Sequence, residues 1–195
     1  MGEHVLFFYG TLMAPQILHR VIHGSAHPEP WQKAMLRFQP AILHGYRRHR
    51  VKNADYPGIV PVTENTITTG ESSAPKSNIT TSVIGTLVSG LTDGDIHRLD
   101  KFEGSEYEKN PVTVRSLREP SENGHIYGEA TDSESRLRDV LDSVDAEVVD
   151  EGEEIAAVTY VYTAGKDMLE DAEWDFESFK KDKMAWWVGA DESQW

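Results

Sequence analysis

The chain contains no cysteine. It therefore has no disulfide, no thiol nucleophile and no thiolate metal site. It also lacks any apolar stretch approaching the ~20 residues that span a bilayer. The first apolar run, Val5-Leu6-Phe7-Phe8, is too short for a secretory signal, and no basic segment precedes it. Positive charge is scarce: 19 lysines and arginines stand against 33 aspartates and glutamates, a formal net charge of −14. That balance argues against binding nucleic acid and against docking on an anionic membrane. Hydrophobic residues make up 38% of 195, so part of the chain is expected to pack no core. The length suits one domain, 1–195, with long insertions, and the expected location is cytoplasmic.

Two stretches account for the polar excess. Residues 63–82 are rich in Thr, Ser, Gly and Asn, as a loop insertion is. Residues 119–157 hold 13 carboxylates against Arg136 and Arg138, so most of the net charge belongs to this one segment. A solvated excursion is the usual meaning of such a run, and binding a basic partner protein is the alternative. Leu137, Val140, Leu141 and Val144 recur at helical spacing inside it.

The remaining segments alternate between strand and helix signals. Val5 to Tyr9 reads as a buried strand, broken at Gly10-Thr11-Leu12-Met13. Pro15 suits the first position of a helix whose apolar side is Ile17, Leu18, Val21 and Ile22, with a stop at Gly24. Met35 to Val51 reads as extended chain turning near His44-Gly45. Pro57 and Pro61 confine 56–62 to an edge or a pocket wall. Val83 to Val88, Pro111 to Leu117 and Ala156 to Tyr162 are further strands, with 112, 114 and 117 facing inward. A last helix is expected from Asp175 to Val188, capped by Asp175 and packed through Phe176, Phe179, Met184, Trp187 and Val188.

Chemistry concentrates in two places. The strand–glycine turn–helix unit at 9–15 aims free backbone N–H groups at one spot, which suits an anion; a plain tight turn is the other reading. In Leu91 to Gly104, Thr92 can cap a short helix, Asp93 and Asp95 suit its positive end, and Gly104 suits its stop. The apolar stripe of that helix runs Ile96, Leu99 and then Glu103. The spacing thus puts a carboxylate where a core residue belongs. Burial raises a carboxyl pKa, and a raised pKa is what a general base near neutral pH requires. If the helix ends one turn earlier, Glu103 is solvated instead.

Two clusters carry weaker signals. His19 and His23 fall on one helix face at metal-ligand spacing, but Gly24 and Pro28 end the helix before His27, and no nearby carboxylate completes a triad. Arg47, Arg48 and Arg50, with Arg37 before them, suit either a solvated strand edge or an acidic ligand.

Phe8-Tyr9-Gly10-Thr11-Leu12, Leu43-His44-Gly45-Tyr46, Tyr56-Pro57-Gly58-Ile59-Val60-Pro61, Val83-Ile84-Gly85-Thr86-Leu87, Leu99 to Gly104 with Tyr107, and Tyr160-Val161-Tyr162, in that order, resemble the gamma-glutamylcyclotransferase-like superfamily, above all its plant and fungal avirulence-induced-protein branch. The resemblance covers about two thirds of the chain and skips both polar insertions. It implies an α+β fold, a small mixed β-barrel with helices packed around it. It implies that Glu103 is the general base of a reaction without metal or cofactor, in which a γ-glutamyl substrate closes on itself to give 5-oxoproline and a free amine. The loop Tyr9, Gly10, Thr11 and Leu12 would hold the substrate α-carboxylate, and Tyr107, Tyr160 and Tyr162 would serve as pocket walls or hydroxyl donors. The insertions leave the amine open among glutathione, a γ-glutamyl amino acid and γ-glutamyl-lysine. A binding module for a small carboxylate or a protein, on the same fold, is the alternative.

Overall fold

The computed structural model describes residues 3–62, 81–118 and 150–189. Residues 63–80 and 119–149 of the two insertion stretches, including the helical spacing at 137–144, and Trp195 lie outside the described residues. Strands β1 (His4–Phe8), β5 (Ser82–Leu91), β2 (Arg37–His44), β6 (Tyr107–Arg118) and β7 (Asp150–Tyr162) close, in that order, into a barrel. All neighbours are antiparallel except β1 and β7, which meet in parallel at Leu6 and Val158. A separate two-stranded sheet joins β3 (Tyr46–Arg50) to β4 (Pro57–Pro61). Gly45, at φ 81°, makes the corner at which the chain leaves the barrel for this sheet.

β1 is apolar on both faces because both are covered. Phe7 and Tyr9 join Ala41, Leu43, Val83, Leu87, Val114 and Val161 in the cluster that fills the barrel. Leu6 and Phe8 point outward, into a second cluster built with the helices. Helix α1 (Pro15–His23) buries Ile17, Leu18, Val21 and Ile22 there and stops at Gly24. Helix α3 (Asp93–Glu103) buries Leu99 completely. Its N-terminus carries a capping box: Thr92 Oγ1 accepts from the Asp95 N–H, and Asp95 Oδ2 accepts from the Thr92 N–H at 2.9 Å. In β6, Val114 and Leu117 are both buried although three apart, because the register shifts between Arg115 and Leu117.

Three features depart from the sequence expectation. First, β7 begins at Asp150, so residues 150–157 belong to the barrel and not to the acidic insertion. Cross-strand charges make a strand of this acidic run: Arg115 pairs with Glu154 at 2.6 Å and Glu151 at 3.7 Å, and His44 pairs with Glu151 at 3.0 Å. Second, a short helix α2 (Pro30–Met35) precedes β2, started by the reciprocal pairing of Glu29 and Gln32. Third, the C-terminal helix is two helices, α4 (Phe176–Asp182) and α5 (Met184–Gly189), broken at Lys183. The break lets both Phe179 and Trp187 reach the outer cluster. Asp175 caps α4 as expected, accepting from the Glu177 and Ser178 N–H groups. Trp174 and Trp187 are buried, while Trp186 is exposed. No helix among the described residues is long and apolar enough to cross a membrane.

Candidate active site

After β1 the chain turns through Tyr9 and Gly10 into a 3-10 turn, Thr11–Met13, which leads to Pro15 and α1. The Met13 N–H donates to the Gly10 carbonyl at 2.9 Å, and the Ala14 N–H to the Thr11 carbonyl at 3.1 Å. The leading N–H groups of such a turn have no acceptor within it. Gly10 is required here: a Cβ would lie 2.8 Å from Cγ and Cδ of Pro57.

The turn is braced from below. Arg48 Nη1 donates to the Tyr9 carbonyl at 3.1 Å and to the Ile84 carbonyl at 3.4 Å. Its Nη2 donates to Glu173 at 3.2 Å, and its guanidinium lies 5.6 Å from the Trp174 ring centre. Arg48 is thus neither a solvated edge residue nor a ligand contact, as the two readings of the arginine cluster had it; it is a largely covered support. Arg47 also ties down the 166–175 segment, through the Asp171 carbonyl at 2.7 Å.

A cleft of about 330 Å³ opens over the turn. Tyr9, Gly10, Thr11 and Leu12 form one side, Glu103 to Tyr107 another, and Tyr56, Pro57, Tyr160 and Trp187 complete it. Helix α3 runs as far as Glu103, so the shorter helix does not occur and the side chain enters the cleft. Burial pushes the Glu103 carboxyl up to about 8, and no cation or hydrogen-bond donor among the described residues pulls it back. Phe102 beside it meets Trp187 edge to face at 6.1 Å, excluding water on that flank.

The tyrosine hydroxyls around the cleft are all committed as donors. Tyr9 donates to the Tyr160 carbonyl at 2.6 Å, and Tyr107 to the Pro57 carbonyl at 2.9 Å. Tyr56 donates to Glu106 at 2.8 Å, and Tyr160 to Asp100 at 2.8 Å. Burial raises the pKa of each: Tyr9 well above its ordinary value, Tyr56 to about 12, and Tyr107 and Tyr160 further. A hydroxyl has one proton, so these oxygens can offer a ligand only lone pairs. Donors for an anion in this cleft therefore come from the backbone of the turn or from the other lining side chains, Thr11, Lys101 and Ser105. The hydroxyl-donor role expected of Tyr107 and Tyr160 does not fit this geometry.

The cleft thus gathers Glu103, Tyr9, Gly10, Thr11, Leu12, Tyr107 and Tyr160 from the sequence-derived set. It does not include Tyr162. That ring lies two residues further along β7, packed edge to face on Tyr107 at 5.4 Å and pressed against Gly58. His19 and His23 stack at 5.4 Å away from the cleft, His19 also against Phe38 at 5.9 Å. Among the described residues no group of three or more potential ligands is placed to hold a metal. Sequence reasoning missed Arg48, Asp100 and Trp187 as parts of the site. Asp100 lay in the motif that carried Glu103, and its charge at a helix end was the available signal.

The family described as Gamma-glutamyl cyclotransferase, AIG2-like, matches residues 6–139. Protein AIG2 C of Arabidopsis thaliana is 24% identical over 178 residues, covering 91% of this chain and 73% of its own. AIG2-like protein B of the same plant is 27% identical over 187 residues, covering 96% and 75%. A solution structure of an Arabidopsis thaliana protein superposes with a TM-score of 0.50 at 22% identity, covering 97% of this chain and 79% of that one.

Proposed function

The chain belongs to the gamma-glutamyl cyclotransferase, AIG2-like family, and on that footing we propose that it cyclises a γ-glutamyl amine to 5-oxoproline with release of the amine. One observation carries the reading: a carboxyl raised to about 8 shares a cleft with the turn residues Tyr9 to Leu12.

The substrate α-carboxylate binds the turn, where backbone N–H groups supply what the tyrosines cannot. Its α-ammonium faces Glu103. A free α-amino group has a pKa near 8, so proton transfer to a carboxylate raised to about 8 is close to balanced. The neutral nitrogen attacks the γ-carbonyl carbon of the same molecule and closes a five-membered lactam. The oxyanion that forms takes a backbone N–H. Glu103 then returns its proton to the departing nitrogen and the old amide bond breaks; the ring nitrogen gives up its second proton through Glu103 to the released amine, so 5-oxoproline and an ammonium leave. Atoms balance without water, metal or cofactor. Holding the glutamyl chain curled supplies much of the rate, on the order of 7–11 kcal/mol for a well-oriented intramolecular attack.

The test is turnover of a panel of γ-glutamyl amino acids, glutathione and γ-glutamyl-lysine by the wild type and by Glu103→Gln. The wild type forms 5-oxoproline from one or more of them, and the variant falls by about 10²–10⁴-fold while melting as a folded protein. Unchanged turnover in the variant removes Glu103 from the base role. Equal binding of substrate and 5-oxoproline without turnover marks a binding module instead.

A further inference from the structure

The committed hydroxyls have a consequence for how the cleft recognises charge. Asp100 sits on α3 three residues before Glu103 and takes two donors: the Tyr160 hydroxyl at 2.8 Å on Oδ1 and the Lys109 ammonium at 2.7 Å on Oδ2. Burial raises the Asp100 carboxyl, but the hydrogen bonds from Lys109 and Tyr160 outweigh this and hold it below the usual range. It is ionised at neutral pH and can only accept. Tyr160 must therefore spend its proton on Asp100, and its oxygen keeps a lone pair, on a side chain that lines the cleft.

We propose that Asp100 is a positioning residue which, by taking the Tyr160 proton, makes the Tyr160 oxygen an obligatory acceptor for the ammonium group of the substrate. The inference rests on the γ-glutamyl reading of this cleft and adds the group that recognises its amino end. The Tyr160 oxygen then selects an α-amino acid head over the same diacid without nitrogen, and Glu103 takes the proton. Lys109 lies outside this pairing: it holds only Oδ2 of Asp100, and the Tyr160 hydroxyl takes Oδ1 whether or not Lys109 is there.

The arrangement predicts a reversal. In Asp100→Asn the side chain keeps one acceptor oxygen and gains an NH₂. Lys109 has no lone pair and requires the oxygen, so the NH₂ turns to Tyr160 and donates to it. The Tyr160 proton is released into the cleft, where it repels an ammonium. Removing the competitor as well, in Asp100→Asn/Lys109→Met, returns the asparagine oxygen to Tyr160 and restores the original polarity.

The experiment measures binding of L-glutamate and of glutarate, which lacks the ammonium, to the wild type, Tyr160→Phe, Asp100→Asn, Lys109→Met and the double variant, by calorimetry or NMR titration. The wild type and Lys109→Met favour L-glutamate by about tenfold, as one charge-assisted hydrogen bond implies. Tyr160→Phe and Asp100→Asn lose that preference with glutarate affinity unchanged, and the double variant regains it. A parallel loss of both ligands in Asp100→Asn, a retained preference, or no rescue by Lys109→Met overturns the proposal. If the wild type forms 5-oxoproline and Asp100→Asn still prefers L-glutamate, Asp100 alone loses its role. If the wild type neither turns over γ-glutamyl compounds nor distinguishes the two ligands, the γ-glutamyl reading falls, and this inference with it.

Discussion

Arg48 donates to the Tyr9 carbonyl oxygen at 3.1 Å, so a largely covered cation braces the turn that faces the cleft. The same guanidinium reaches Glu173 at 3.2 Å and packs on Trp174. One side chain therefore fixes the turn to the C-terminal segment. Arg48→Met keeps the stem but leaves the Tyr9 and Ile84 carbonyls without this donor. Glu173 is largely exposed and rehydrates, so the loss is mainly that of hydrogen bonds to buried acceptors, about 2–3 kcal/mol. Denaturant unfolding measures it. On the proposed reading, in which the turn binds the α-carboxylate and Glu103 stands elsewhere, KM for a γ-glutamyl substrate rises more than kcat falls. A variant with unaltered KM would detach Arg48 from the turn.

Gly10→Ala tests the turn from the other side. Its Cβ would come within 2.8 Å of the Pro57 ring, which is rigid and cannot swing away. Either the turn or β4 must move, by several tenths of an ångström, at the proposed anion site. A loss of tenfold or more in kcat/KM is expected, with stability lowered by about 1–3 kcal/mol. Wild-type kinetics in this variant would mean that the turn and Pro57 do not both shape the binding site.

The sequence carried those parts of the molecule whose causes are local. Thr92, Gly104 and the spacing of Ile96, Leu99 and Glu103 define α3 from within α3, and the structure keeps the helix to Glu103. Pro15 and Gly24 do the same for α1. What stayed hidden depends on partners far along the chain. Arg48 and Arg47 have the same composition around them, and a partner 125 residues away, Glu173, makes one of them internal. The acidic stretch from Asp150 is strand because β6 supplies Arg115 opposite it, a fact of register and not of propensity. Tyr160 and Tyr162 share a strand face and differ by two residues, about 6.6 Å of rise. That distance carries Tyr162 past the cleft, to lie behind Tyr107.

The raised carboxyl carries a stability signature. Glu103 titrates near 8 in the folded protein, against an ordinary value of 4.5. Between those pH values the folded state holds a proton that the unfolded chain has released. Stability therefore falls as pH rises through this window, by up to about 5 kcal/mol once the group is fully ionised. Glu103→Gln removes the titration. Its melting temperature is expected to exceed that of the wild type at pH 8.5, with the gap narrowing toward pH 4.5. Parallel melting curves across that range would mean that the carboxyl is hydrated.

The rate profile separates a raised Glu103 from an ordinary one. kcat/KM reports the free enzyme and free substrate, and the productive encounter contains one proton shared between Glu103 and the α-amino group. The amine loses its proton near pH 8. An ordinary carboxyl at 4.5 would leave Glu103 ionised and the amine protonated over three pH units, giving a flat plateau centred near pH 6. With Glu103 near 8, the two groups titrate together. Below pH 7 both are protonated, the pair holds one proton too many, and kcat/KM falls about tenfold per unit. Above pH 9 neither holds a proton for the departing amine, and it falls again. The expected profile is a narrow bell centred near pH 8. It is measured with a γ-glutamyl substrate whose released amine is detected directly, and a plateau reaching down to pH 5 would place the Glu103 carboxylate in water.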